Sequence, residues 1–213
     1  MDFYLSSYRL GKKTKALKKM IPKNKKMAYI SNALDYSKDY ERRKKRENTH
    51  IRQLKKIGFD AEILDLREYF VKKNALKKRI KKYGAIWVGG GNTFVLRQAM
   101  KLSGFDKIFK KLLKNKNIFY GGSSAGICIL AKNMKGVDFV DNPKAKPYGK
   151  KIKTIWEGLG VLDYLPVPHY NSNHKESKAI DKVVKYCIKN KILFRALCDG
   201  EVIIIKNGKE SEN

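Results

Sequence analysis

The sequence predicts an α/β fold: one domain over residues 1–213, built as a three-layer sandwich around a mostly parallel central sheet. Short apolar runs of strand length alternate with longer lysine-rich stretches whose apolar residues recur at helical spacing. Two of the runs, 85–88 and 118–120, stop at glycines, as a strand does where it hands over to a helix. A chain of 213 residues is long enough to bury a core without disulfides. Its three cysteines, Cys128, Cys187 and Cys198, lack the close spacing of a metal knuckle and read as reduced thiols.

The elements follow in order. A strand is expected at 3–6, then a surface helix and loop over 11–26 with Leu17, Met20 and Ile21 as its apolar positions. A second strand at 27–30 leads into a polar loop over 31–36. Segment 40–57 has Ile51, Leu54 and Ile57 at helical spacing, and Gly58 is the expected stop. Its run Arg42-Arg43-Lys44-Lys45-Arg46 reads as a wetted helix face rather than a phosphate site, and His50 is placed toward solvent. A strand at 61–64 and a helix over 65–82 come next. The buried strand 85–88 runs into Gly89-Gly90-Gly91-Asn92-Thr93, followed by helices over 94–102 and 105–115. After the strand at 118–120 a helix begins over 125–131. Segment 135–153, with Asp138 and Asp141, is expected to be irregular. A strand end broken by Pro168 at 167–170 and a helix over 177–189 follow. Strands at 193–197 and 202–205, paired as a hairpin around Asp199-Gly200, close the fold. Both glycine turns lie at carboxyl ends of strands, where ligands collect in such sheets.

The formal net charge is +29, and only nine of the 49 basic residues are arginine. That charge permits a nucleic-acid partner. The scarcity of arginine, whose planar fork suits phosphate, disfavours one and points to lysines as solvated surface. The first residues lack a basic start with an apolar core, and no apolar run approaches the ~20 residues of a membrane span. A soluble, cytoplasmic protein is expected, with no membrane partner, as a monomer or homodimer.

The turn Gly122-Ser123-Ser124-Ala125-Gly126 fits G-x-S-x-G. A sharp strand-to-helix turn exposes its central side chain and leaves the next amide facing any oxyanion formed beside it. Ser124 is therefore the candidate nucleophile and Ala125 a candidate oxyanion donor. An activated serine needs a base, and His169, following Pro168 at the end of an apolar run, is the best placed of His50, His169 and His174. The acid that orients the base is open among Asp138, Asp141, Glu176 and Asp199. The turn at Gly89-Gly90-Gly91 either cradles a phosphate or supplies a second oxyanion amide. Its spacing matches neither a dinucleotide nor a Walker fingerprint, which favours the amide.

Taken together, Ile86-Trp-Val-Gly-Gly-Gly-Asn-Thr-Phe94, the serine turn and Pro168-His-Tyr170 resemble the peptidase E family of serine peptidases, which includes aspartyl dipeptidases and, more distantly, cyanophycinases. The resemblance covers most of the chain. It implies a glutamine amidotransferase-like, flavodoxin-like topology, with Ser124 as nucleophile, His169 as base and oxyanion amides at Gly90, Gly91 and Ala125. It implies Asp138 as the third catalytic residue, with Asp141 as the alternate, and Asn92, Thr93 and Lys175 at the substrate. Segment 173–178 offers lysines where the aspartyl dipeptidases use a basic residue, and no arginine. Amidotransferase chemistry itself needs a cysteine nucleophile, and Cys128 lies a helical turn beyond the elbow. The expectation is a serine exopeptidase of dipeptides or short peptides, with no cofactor and no metal. A basic binding protein on the same fold, or a serine hydrolase of non-peptide amides or esters, are the alternatives.

Overall fold

The computed structural model of the protein describes residues 1–211. Its strands are β1 (Asp2–Ser6), β2 (Lys26–Ile30), β3 (Asp60–Ile63), β4 (Ala85–Val88), β5 (Phe119–Ser123), β6 (Leu165–Val167), β7 (Phe194–Ala196), β8 (Val202–Lys206) and β9 (Lys209–Ser211). The helices are α1 (Thr14–Lys19), α2 (Tyr40–Ile57), α3 (Lys73–Ile80), α4 (Thr93–Ser103), α5 (Phe105–Leu112), α6 (Ala125–Cys128) and α7 (Ser177–Lys189). The main sheet has the order β3-β2-β4-β5-β1-β8-β9. Its pairings are parallel from β3 to β1 and antiparallel through β8 and β9. Strands β6 and β7 pair parallel in a separate two-stranded sheet.

The central strands are apolar on both faces because both are covered. Phe3, Leu5, Ala28, Ile30, Ile86, Val88 and Tyr120 point into the larger core, where α3, α4, α5 and α7 pack with Leu76, Phe94, Phe109 and Val183. Their neighbours Tyr4, Met27, Tyr29, Ala85, Trp87 and Phe119 point to the opposite face and meet Leu17 of α1 and Leu54 of α2. The strict alternation along each strand thus divides the chain into the expected three layers. Trp87 fits because its partner across the β4–β5 ladder is Gly121; a Cβ there would sit 2.1 Å from the indole.

Several local expectations are corrected. Segment 65–82 is not one helix: a 3-10 turn over Leu66–Tyr69 is separated from α3, because Asp65 caps the turn through Arg67 N while Tyr69 and Phe70 turn onto the core. The elbow helix is only four residues long. The hairpin between 193–197 and 202–205 does not form. Instead β7 joins β6, and β8 runs antiparallel to β1 and turns back as β9 across Asn207-Gly208. Asn-Gly is the stronger hairpin signal, since both residues accept the positive φ a two-residue turn needs, and here they have φ 52° and 75°.

Segment 135–153, expected to be irregular, is fastened to α4 together with the residues that follow it to Glu157. Asn92 Nδ2 donates to Asn142 O, Gln98 Nε2 to Ala145 O and Arg97 Nε to Glu157 O. On the other side, Arg43 of α2 turns inward to Asp35 and Glu47, and Asn32 holds Asp35 and Asp65. This buried network fixes α2 beside the carboxyl ends of β2 and β3.

Candidate active site

The carboxyl ends of β1, β4 and β5 converge, because Ser6 lies opposite Ser123 and Val88 opposite Gly122 in the parallel ladders. Ser124 is the first residue beyond β5. Its φ of 51° and ψ of −116° are strained for a residue with a side chain. Its amide donates to Ser6 O, and its carbonyl accepts from Ile127 and Cys128, so both neighbouring elements hold the bend. Gly90 lies against it: a Cβ on Gly90 would come 3.0 Å from Ser124 Cβ and 3.4 Å from Oγ. Gly91 has φ 148° and approaches Ala33 so closely that a Cβ would meet its carbonyl at 2.3 Å. The amides of Gly90, Gly91 and Ala125 donate to no group among the described residues.

His169 is two residues beyond β6 and has φ 65°. It is 2 % exposed. Its Nδ1 lies 2.7 Å from Asp199 Oδ1. A carboxylate there requires the proton on Nδ1 and leaves the lone pair on Nε2. The pairing follows from the small sheet. Val167 is in register with Ala196, so the chains leaving β6 and β7 side by side bring residues two and three positions further on into contact. Ser7, just past β1, completes the junction: its hydroxyl accepts from the His169 amide at 2.9 Å and lies 3.1 Å from Asp199 Oδ1. The Asp199 amide donates to Ser172 Oγ at 2.7 Å.

The carboxylate beside the imidazole is therefore Asp199, not Asp138 or Asp141. Asp138 is exposed, and its Oδ1 accepts from the Gly136 amide within its own turn. Asp141 does face the site, but its Oδ2 accepts from Thr93 N at 2.8 Å and Thr93 Oγ1 at 2.7 Å. Burial, reinforced by the nearby Glu176 charge and opposed by the Thr93 bonds, pushes its carboxyl up to about 6. Asn92 and Thr93 line the site, yet their polar atoms hold protein: Asn92 caps α4 through Val95 N and reaches Asn142 O. Lys175 is on the cleft wall.

Two features were not foreseen. His174 stacks on His169, ring centroids 3.8 Å apart and planes at 9°, with Tyr8 edge-on to both. Positive φ at His169 and Asn171 reverses the chain and brings the second ring back over the first. Burial, then the neighbouring His169, lowers the basicity of His174. His50 is not solvent-facing: its ring stacks on Tyr29 at 5.7 Å and 16° and borders the cleft, because residues on that side of α2 look across the strand ends.

Ser124 and His169 border the same two cavities, with no hydrogen bond between hydroxyl and ring. One is a small pocket of about 20 Å³, walled by apolar residues such as Cys128, Val167 and Ile180 and by the carboxylates of Asp141 and Glu176, which also border the second cavity. The other is an open cleft of about 710 Å³ that extends past Gly90 and Gly91 to Arg9, Arg42, Lys45 and Arg46. His169, His174 and Glu176 also bring three potential metal-ligand atoms within 4.8 Å of one another. Two parallel stacked imidazoles do not aim their lone pairs at one point, so this cluster is not a preformed metal centre. No helix among the described residues is long and apolar enough to cross a membrane.

The sequence profile of peptidase family S51 matches residues 5–212. An uncharacterized peptidase of Listeria monocytogenes serovar 1/2a is 30% identical over 159 residues, 74% of this chain and 72% of the relative. One of Listeria innocua serovar 6a is 31% identical over 129 residues, 60% of this chain and 58% of the relative. In fold, the chain is similar to a crystal structure from Listeria monocytogenes EGD-e provisionally named peptidase E, with TM-score 0.76 and 22% identity over 99% of this chain and 96% of that one. A peptidase from an acI-B1 Actinobacterium is similar at TM-score 0.69 and 16% identity, over 96% of this chain and 83% of that one.

Proposed function

The chain belongs to peptidase family S51, and on that premise we propose that it is a serine-type exopeptidase that removes a residue from the free amino end of short peptides. The observation that carries this reading is the hydroxyl at a strained elbow in one cavity with an imidazole whose far nitrogen is held by a carboxylate. His169 Nε2 takes the proton of Ser124 as Oγ attacks the scissile carbonyl. Asp199 keeps the proton on Nδ1 and offsets the imidazolium charge. The amides of Gly90, Gly91 and Ala125 receive the oxyanion. The imidazolium then protonates the leaving amine, and water activated by His169 releases the acyl group.

The preference for a free amino end rests on Asp141 and Glu176, two carboxylates in the small pocket beside Ser124, which no lysine or arginine lines. An ammonium group supplies the missing counter-charge. Acetylating the amino terminus of a good peptide substrate is expected to lower kcat/KM at least a hundredfold, measured by chromatographic assay of the products. Equal hydrolysis of free and acetylated peptides would reject the exopeptidase reading. In the same assay KM rises as pH falls through about 6, because Asp141 then loses its charge.

Asp141 also has a stability consequence. Its acidity is weaker in the folded chain than in the unfolded one, so the folded state holds the proton more tightly between about pH 4 and 6. Stability therefore falls as pH rises through that window, and the full cost stands at neutral pH. Asp141→Asn is expected to stabilise by about 1–2 kcal/mol, a Tm rise of roughly 2–8 °C for a chain of this size, while KM rises at least tenfold. A melting curve and a substrate titration of the variant check both.

Gly90→Ala is the complementary test of the oxyanion turn. The added methyl presses on Ser124, so kcat is expected to fall roughly ten- to a hundredfold with little change in Tm. Unchanged kcat would remove Gly90 from the reacting centre.

A further inference from the structure

Five of the nine arginines of this chain form ion pairs, and three of the other four collect in one place. Arg43, Arg67, Arg79, Arg97 and Arg195 each meet a carboxylate. Arg9, Arg42, Arg46 and Arg52 meet none among the described residues, and three of these four line the open cleft. A general drift toward lysine does not explain a cluster of unpaired arginines. Arg42, Lys45 and Arg46 stand three and four residues apart on α2, followed by Thr49 and His50 on the same face. Arg43 on the same helix is turned inward and takes Asp35 and Glu47, so those two acids are already engaged. Arg9 is held by its contact with the Tyr8 ring, at 4.9 Å from guanidinium to centroid.

The two ends of the site therefore carry opposite charge. Asp141 and Glu176 lie at the Ser124 end, where they border both the small pocket and the cleft, and Arg9, Arg42, Lys45 and Arg46 line the cleft alone. The small pocket, about 20 Å³, holds little more than a water-sized group such as an ammonium or a methyl. A carboxylate-bearing side chain there would face two like charges. The open cleft, about 710 Å³, has room for several residues on the far side of the scissile bond.

We propose that the substrates are peptides with a small, uncharged amino-terminal residue followed by acidic residues, whose carboxylates are received by Arg9, Arg42, Lys45 and Arg46 on the leaving side of the scissile bond. This rests on the exopeptidase reading and adds the polarity of the substrate to it. The whole-chain charge of +29 draws such a peptide toward the cleft, and the polarity of the site turns its amino end inward.

The test compares three peptides of equal length on the intact protein: Ala-Ala-Asp-Asp, Ala-Ala-Asn-Asn and Asp-Ala-Asn-Asn. The acidic-tailed peptide is expected to exceed the neutral one at least thirtyfold in kcat/KM at low salt, with the ratio shrinking as salt rises. The peptide beginning with Asp is expected to be the poorest. Arg42→Glu/Arg46→Glu, two changes at sites where α2 meets solvent and the cleft, is expected to collapse the thirtyfold preference, with the melting curve confirming an intact fold. A ratio near one in the native protein, a ratio untouched by the double variant, or a preference for the Asp-first peptide would overturn the proposal while leaving the exopeptidase reading standing. Hydrolysis of none of the three peptides, with no labelling of Ser124 by a fluorophosphonate, would instead overturn that reading. Binding of a fluorescent acidic peptide by anisotropy then still measures the cationic wall. A single-stranded RNA of matched charge that binds the wall more tightly than the peptide overturns the assignment to acidic peptides.

Discussion

Ser124→Ala is expected to abolish hydrolysis, with kcat falling roughly 10⁵- to 10⁶-fold, and to eliminate labelling by a fluorophosphonate. The size follows from the chemistry. Without the hydroxyl no acyl-enzyme forms, and the oxyanion amides and substrate contacts retain only a residual rate of roughly 10³–10⁴ over water. The substitution also relieves no packing conflict, since Ser124 is the bend between β5 and α6 and its backbone bonds to Ser6 and to Cys128 are independent of the side chain. The variant should therefore melt close to the native protein, which separates loss of chemistry from loss of fold. Labelling that persists in the alanine variant would sink Ser124 as the nucleophile and leave the elbow as a structural turn.

Asp199→Asn is expected to lower kcat about 10⁴-fold, the effect of presenting imidazole with a donor where it needs an acceptor. The amide group keeps the shape of the contact with His169 Nδ1 but favours the tautomer whose Nε2 carries the proton, so the base is no longer basic where Ser124 needs it. Asp138→Asn is the control. Its carboxylate serves only the Gly136 amide, and activity is expected to stay within twofold of native. Steady-state kinetics of the two variants side by side decide between the carboxylates. Equal losses would refute the role of Asp199, and a large loss at Asp138 alone would reinstate the acid that resemblance implies.

The difference between those two aspartates shows what the sequence carried and what it did not. The elbow was legible because its signal is local: an apolar run, glycines two before and two after a serine, and an apolar run beyond. The glycine turn at 89–91 was legible for the same reason, and the alternation that puts Trp87 and Val88 on opposite faces needed only a period of two. The partner of His169 was not legible. It depends on parallel pairing of two three-residue strands separated by α7, and neither strand is long enough to announce its neighbour. Asp199 stood among four carboxylates that the residues alone could not rank. The stacked His174 needed two consecutive reversals of the backbone at residues with side chains, which composition does not signal. Segment 42–46 was read correctly as helix and as charged, but which way a charged face looks is a tertiary fact. The buried ion pairs of Arg43 turn that face toward the cleft.

The little sheet of β6 and β7 has one more consequence. The imidazole and its carboxylate are carried together on that two-stranded platform, and the hydroxyl is carried on the main sheet. Leu165 and Val167 of the small sheet pack into the same core as Leu5 and Val88 of the large one, and that shared core sets the reach from ring to hydroxyl. Ser7, rooted at the end of β1 and touching both halves of the pair, is the rivet between the platforms. Alignment in this protein is thus set at the seam between two sheets, where Ser7 and the shared core hold the imidazole to the elbow.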